Sequence, residues 1–141
     1  MKKQLFIALI LSISSNFLFA QKDFVSIHAI EWNSKTFRPI DTVSIFTEEN
    51  FIYKSQNIEV LRFLEKTKSE IVSKGNKDSI EFKGVRWAIV FRFEGKTNTI
   101  YVDKSRYLIS NGYYFKNVDF FMNSIYDLLK NDLLKSYFPK N

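Results

Sequence analysis

The sequence predicts a single α+β domain: a curved antiparallel sheet, run as a meander, with two amphipathic helices packed on one face. A cystatin-like arrangement is the alternative. Three observations predict it. Between Val85 and Phe93 large apolar residues hold every odd position, including Trp87, Ile89 and Phe91, while Arg86, Ala88, Val90 and Arg92 hold the even ones. That period of two belongs to a strand with one side on a core. Asn111-Gly112 stands between Leu108-Ile109-Ser110 and Tyr113-Tyr114-Phe115, the composition of a two-residue type I′ hairpin. Two further segments carry apolar stripes at helical spacing, and such stripes need a sheet to cover them.

Taken in order, Phe24–Trp32 is rich in β-formers and reads as the first strand, broken by residues 33–39. Thr42–Phe46 reads as a second short strand with Val43 and Ile45 on one face, and Phe51-Ile52-Tyr53 as either a strand or a packed loop. Asn57 offers an N-cap with Glu59 in the first turn, which predicts a helix over 58–73. Its stripe is Val60, Leu61, Leu64 and Ile71, diluted by Thr67 and Lys68, and Gly75 supplies a left-handed C-terminal residue. Ser79–Phe82 is expected to pair with Val85–Phe93 through Lys83-Gly84, and Thr99–Asp103 to follow through Gly95-Lys96. Residues 79–115 therefore form a meander of about four or five strands. The last helix is capped by Asn117 or Asp119, carries Phe121, Ile125, Leu128, Leu129 and Leu133, and ends at Pro139.

The first residues form a separate unit. MKKQLFIALILSISSNFLFAQ places Lys2 and Lys3 ahead of the apolar run Leu5–Leu11 and ends on Ala20. This is the order of a secretory signal peptide, although Leu18 is larger than the residue preferred two places before the cut. The apolar run is short and interrupted by serines and Asn16, so it does not suit a membrane span. The expected organisation is a signal peptide at 1–20 and one domain at 21–141, exported to the periplasm or the extracellular medium. Cysteine is absent, so the domain has neither a disulfide nor a lipoprotein attachment residue and must be held by packing.

The 21 basic and 15 acidic residues include two lysines in 1–20, so the balance after cleavage is +4. Charges are interspersed, with no run of five like charges, which argues against a nucleic-acid arm and for a solvated surface. The abundance of Lys, Asn, Ile, Phe and Tyr resembles proteins from AT-rich bacterial genomes. The stretch from Val85 through the Asn111-Gly112 hairpin to the final helix resembles small exported bacterial proteins, with no diagnostic motif.

Candidate chemistry is sparse. His28 is the only histidine and shares a strand face with Ser26 and Ile30. A nucleophilic serine needs a histidine beside it and a carboxylate to orient that histidine, but no G-x-S-x-G turn is present. An ordinary half-exposed strand histidine is the favoured reading. One histidine without cysteine leaves a zinc site short of ligands. Glu48 and Glu49 would point apart in a strand, and with Asp41 they read as a solvated loop without calcium-loop spacing. Arg86 and Arg92 fall on the outer face of the best strand; if Tyr101 or His28 joins them, a polar, aromatic groove for a carboxylate or peptide results. The competing reading is a charged solvent face with cross-strand pairing. Trp32, Phe37, Phe51, Tyr53, Tyr107, Tyr113 and Tyr114 are either core or stacking platforms.

The expected function is that of a non-enzymatic exported module, binding a protein, peptide or envelope component through Arg86, Arg92, Tyr101 and His28. The alternative is a small hydrolase-type enzyme using His28. No cofactor, metal or nucleic-acid partner is expected, the mature chain is not expected to be integral to a membrane, and the oligomeric state is left open.

Overall fold

The computed structural model describes residues 22–35, 39–77 and 84–138. Residues 1–21, Phe37, the Ser79–Phe82 segment and Pro139 lie outside the described residues. The strands are β1 (Phe24–Ala29), β2 (Phe51–Ser55), β3 (Val85–Phe93), β4 (Lys96–Asp103), β5 (Leu108–Ser110) and β6 (Tyr113–Phe115). The α-helices are α1 (Ile45–Glu48), α2 (Ile58–Lys74) and α3 (Val118–Leu129), and a 3-10 segment follows at Asp132–Tyr137. The fold is α+β, with one open six-stranded antiparallel sheet in the order β2-β1-β3-β4-β5-β6.

The run from β3 to β6 is a meander joined by tight turns. At both Glu94-Gly95 and Asn111-Gly112 the two central residues have positive φ, as type I′ turns require, and that backbone twist matches the twist of the strands. The alternation in β3 places Trp87, Ile89 and Phe91 in the main core, together with Val25, Ile27 and Ala29 of β1 and Ile100 and Val102 of β4. Val60, Leu61, Leu64 and Ile71 of α2 and Val118, Phe121, Met122 and Ile125 of α3 cover that same face. Both long helices therefore lie on one side of the sheet, and burial of their stripes outweighs intrinsic propensity in holding them there.

The cap of α2 is as expected: the Asn57 side chain accepts from the amides of Glu59 and Val60 at 2.9 and 3.4 Å. Thr67 belongs to its buried face. The end of α2 differs from expectation. Gly75 is extended, with φ −77°, not left-handed. Glycine is needed because a Cβ there would lie 2.3 Å from the Ile71 carbonyl oxygen and 2.8 Å from that of Tyr114. This close approach lets Asn76 and Tyr114 exchange backbone hydrogen bonds at the β6 edge.

Two further elements correct the sequence expectation. Thr42–Phe46 is a turn leading into α1, not a strand. Asp41 Oδ1 accepts from the amides of Val43 and Ser44 at 2.9 and 2.6 Å, and this local bonding outcompetes the β-propensity of Thr, Val and Ile. The last helix stops at Leu129, where Lys130 takes a left-handed conformation at φ 47°. Asn131 then caps the 3-10 segment, which buries Leu134 and leaves Leu133 exposed. That segment closes the helix-side core: Trp87 Nε1 donates to the Tyr137 carbonyl at 3.1 Å, and the Tyr137 ring packs on Phe51.

Candidate functional site

The outer face of the sheet, opposite the two long helices, is partly covered. Strand register defines it, because directly paired residues share a face. His28 pairs with Ile52 and Ala88, Ser26 with Lys54 and Val90, and Phe24 with Arg92. On β4, Tyr101 pairs with Ala88. His28, Arg92 and Tyr101 therefore do share this face.

One end of the face is closed by the segment between β1 and β2. Ile30, Ile40 and Ile45 pack with Val85 and Ala88 in a second apolar cluster, against which Tyr101 rests. Burial pushes the Tyr101 phenol up from its usual range.

Arg86 is not a solvent-face residue: it is 2% exposed. A register shift between Val85 and Trp87 interrupts the alternation, and the chain after β1 folds over this end of β3. The guanidinium donates to the carbonyls of Trp32, Ser34 and Val85 at 3.2, 3.3 and 3.4 Å. Loss of solvent lowers the Arg86 pKa, partly offset by the charge of Asp103. Asp103 is itself buried and accepts from the amides of Gly84 and Ser105. Arg86 thus ties the covering segment to the sheet and does not take part in an open site. Trp32, read as core or platform, is core.

The other end of the face is open. A groove of about 700 Å³ runs over β1 and β2, lined by Phe24, Ser26, His28, Lys54, Gln56 and Val90. Three side chains in and beside it stand in sequence, one hydrogen bond followed by one longer ion-pair contact. Ser26 Oγ lies 2.9 Å from His28 Nε2, and His28 Nδ1 lies 3.5 Å from Glu49 Oε1. Phe46 of α1 stacks edge-on against the imidazole, with centroids 4.9 Å apart. With the proton on Nδ1, facing Glu49, Nε2 is free to accept from the Ser26 hydroxyl.

The i, i+2 spacing of Ser26 and His28 puts them on one face, as the sequence indicated. The sequence predicts Glu49 in a solvated loop; it is instead half-buried and brought to the histidine by α1, while Glu48 is exposed. The signal that could have found it is Asp41, whose turn-forming side chain precedes the helix that Glu49 follows directly. Lys54 was likewise unmarked by any motif and is placed by its pairing with Ser26.

Among the described residues, no group of three or more His, Cys, Asp or Glu side chains could hold a metal ion, and no helix is long and apolar enough to cross a membrane. No protein-family model, curated protein or solved structure matches this chain.

Proposed function

We propose that this protein is an exported binding module that takes an extended, carboxylate-bearing peptide along the open end of the sheet's outer face. The observation that carries this is the groove over β1 and β2, where Ser26, His28 and the cation of Lys54 stand beside the apolar Phe24 and Val90. Arg92 extends the cationic side, since its pairing with Phe24 puts it on the same face. Apolar walls with a few polar groups are the usual make-up of a ligand cleft, and two cations favour a carboxylate over a neutral ligand. The apolar side chains Phe46 and Ile52, exposed and flanking His28, suit a peptide with bulky residues next to its acids.

The test is fluorescence anisotropy with labelled hexapeptides, acidic and amide-neutralised. Acidic peptides are expected to bind, and combined Lys54→Glu and Arg92→Glu to weaken them about 10-fold or more, the size of one charge-assisted hydrogen bond. His28→Ala should leave binding largely intact. Unchanged affinity in the double reversal, with circular dichroism showing a native fold, would sink the proposal. Reversal at Arg86 is no substitute, because that side chain is buried.

Export places this activity outside the cytoplasm, in the periplasm or the medium. The support is the order of charges, apolar run and small residue in 1–20. Mass spectrometry of the exported fraction is expected to find a chain beginning at Gln21. A chain retaining residues 1–20 in an integral membrane fraction would contradict it.

A further inference from the structure

We infer that Ser26 is an acylatable serine, with His28 as its general base and Glu49 as the residue that positions the imidazole, so that the groove cleaves carboxylic esters. The contacts run in the order the chemistry needs. Ser26 Oγ is within hydrogen-bond distance of Nε2, and the opposite ring nitrogen faces a carboxylate. A serine hydroxyl is a weak nucleophile until a base beside it takes its proton, and that base is oriented by a third group. Phe46 stacked on the ring and Glu49, 11% exposed, keep the imidazole in one orientation. The separation of 3.5 Å between Nδ1 and Oε1 is an ion-pair distance, longer than a hydrogen bond, and it sets the carboxylate beside the ring without a direct bond.

The substrate class follows from what lies around Ser26. β1 is paired on both sides, with β2 and with β3, so its backbone amides are engaged in the sheet and do not form a backbone oxyanion hole. The donor available to a developing oxyanion is Lys54, directly across from Ser26 and lining the same groove. A single flexible cation stabilises a tetrahedral intermediate less than a preorganised pair of amides. Esters with good leaving groups therefore suit the site better than amides.

In the first step Ser26 Oγ bonds to the acyl carbon while its proton passes to Nε2. The carbonyl electron pair moves onto oxygen beside Lys54, then returns as the bond to the alkoxy oxygen breaks. The alcohol leaves with the proton from Nε2. Water then attacks the acyl carbon and gives a proton to Nε2; as the bond from the acyl carbon to Ser26 Oγ breaks, Nε2 returns that proton to Oγ, freeing the acid and the Ser26 hydroxyl. The sum is ester plus water to acid plus alcohol.

The inference rests on the same groove being open to a ligand, and the experiment separates the two. Full-length protein is treated with a fluorophosphonate probe and followed by intact mass and peptide mapping. The expected result is one adduct on Ser26, formed with loss of fluoride, and slow hydrolysis of p-nitrophenyl acetate. Ser26→Ala should give no adduct, and His28→Ala should slow labelling about 100-fold or more. Glu49→Gln should lower the saturated labelling rate without changing the probe concentration at half saturation, a split that a merely structural role would not produce. Ser69→Ala, on the exposed side of α2, should label like wild type. Absence of a Ser26 adduct in wild type overturns the inference, and this does not depend on any variant folding. Equal labelling of a folded His28→Ala variant overturns it too. If labelling fails while acidic peptides still bind, the esterase inference falls alone; a Ser26 adduct without peptide binding removes only the binding proposal.

Discussion

Replacing Arg86 by alanine is expected to lower the stability of the fold by about 3–5 kcal/mol, because it strips donors from more than one covered carbonyl, at about 1–3 kcal/mol for each polar group left unsatisfied. The side chain is 2% exposed and satisfies carbonyls of Trp32 and Ser34, more than fifty residues away in sequence. Truncation leaves those carbonyls without their donor and leaves Asp103 buried without the cation that acts on it. Each loss carries a desolvation cost that water cannot repay in a closed site. Arg86→Lys keeps the charge but gathers its donors on one nitrogen, which cannot reach carbonyls served by three separate guanidinium nitrogens, so an intermediate loss is expected. Urea unfolding monitored by tryptophan fluorescence reads both, since Trp32 reports on the segment that Arg86 holds. A midpoint for Arg86→Ala within error of wild type would show that the covering segment is held by its apolar cluster alone.

Phe91→Ala is expected to cost a comparable amount, about 3–5 kcal/mol, by a different route. Phe91 is fully buried between β1 and β4 and under the helices. Its removal loses the transfer free energy of an aromatic ring and leaves a void that the close-packed surroundings fill only in part. Arg92→Ala, one residue on and facing the other side, should cost far less because it is partly exposed. The contrast between adjacent positions is the useful quantity, because both variants share one background and one unfolded state. Equal losses measured by denaturant titration would contradict the face assignment of β3.

The same strand shows how far a periodic pattern can be trusted. From Trp87 to Arg92 the alternation is sufficient, since each residue's face follows from the pleat. It fails for Val85 and Arg86, where the register shift and the folded-over chain change the surroundings. Nothing in the nine residues themselves announces a cover that arrives from residues 30–35 and 39–48. For the same reason the outer face is half closed, where the sequence alone indicated an open charged surface.

The candidate site divides in the same way. Ser26 and His28 were visible together because two-residue spacing in a strand is a local rule. Glu49 was not, because it lies twenty-one positions beyond His28, with a helix between them. Lys54 joins the groove, and Arg92 the face around it, through the pairing of three strands, and pairing is a long-range property. Tyr101 shares the face yet sits against the second apolar cluster, half-buried.

By itself the sequence determined what local physics controls: the period of β3, the turn chemistry of Asn111-Gly112, the Asn57 cap and stripe of α2, and hence an antiparallel sheet with two helices on one face. Each depends on contacts between residues a few positions apart, or on the need of an apolar stripe to be covered. Only the tertiary structure decided that Arg86 is buried, that Thr42–Phe46 turns toward a helix, and that Glu49 meets His28. Those outcomes depend on which distant segment covers which end of the sheet, and burial, hydrogen-bond satisfaction and charge pairing across such distances have no signature in a local pattern.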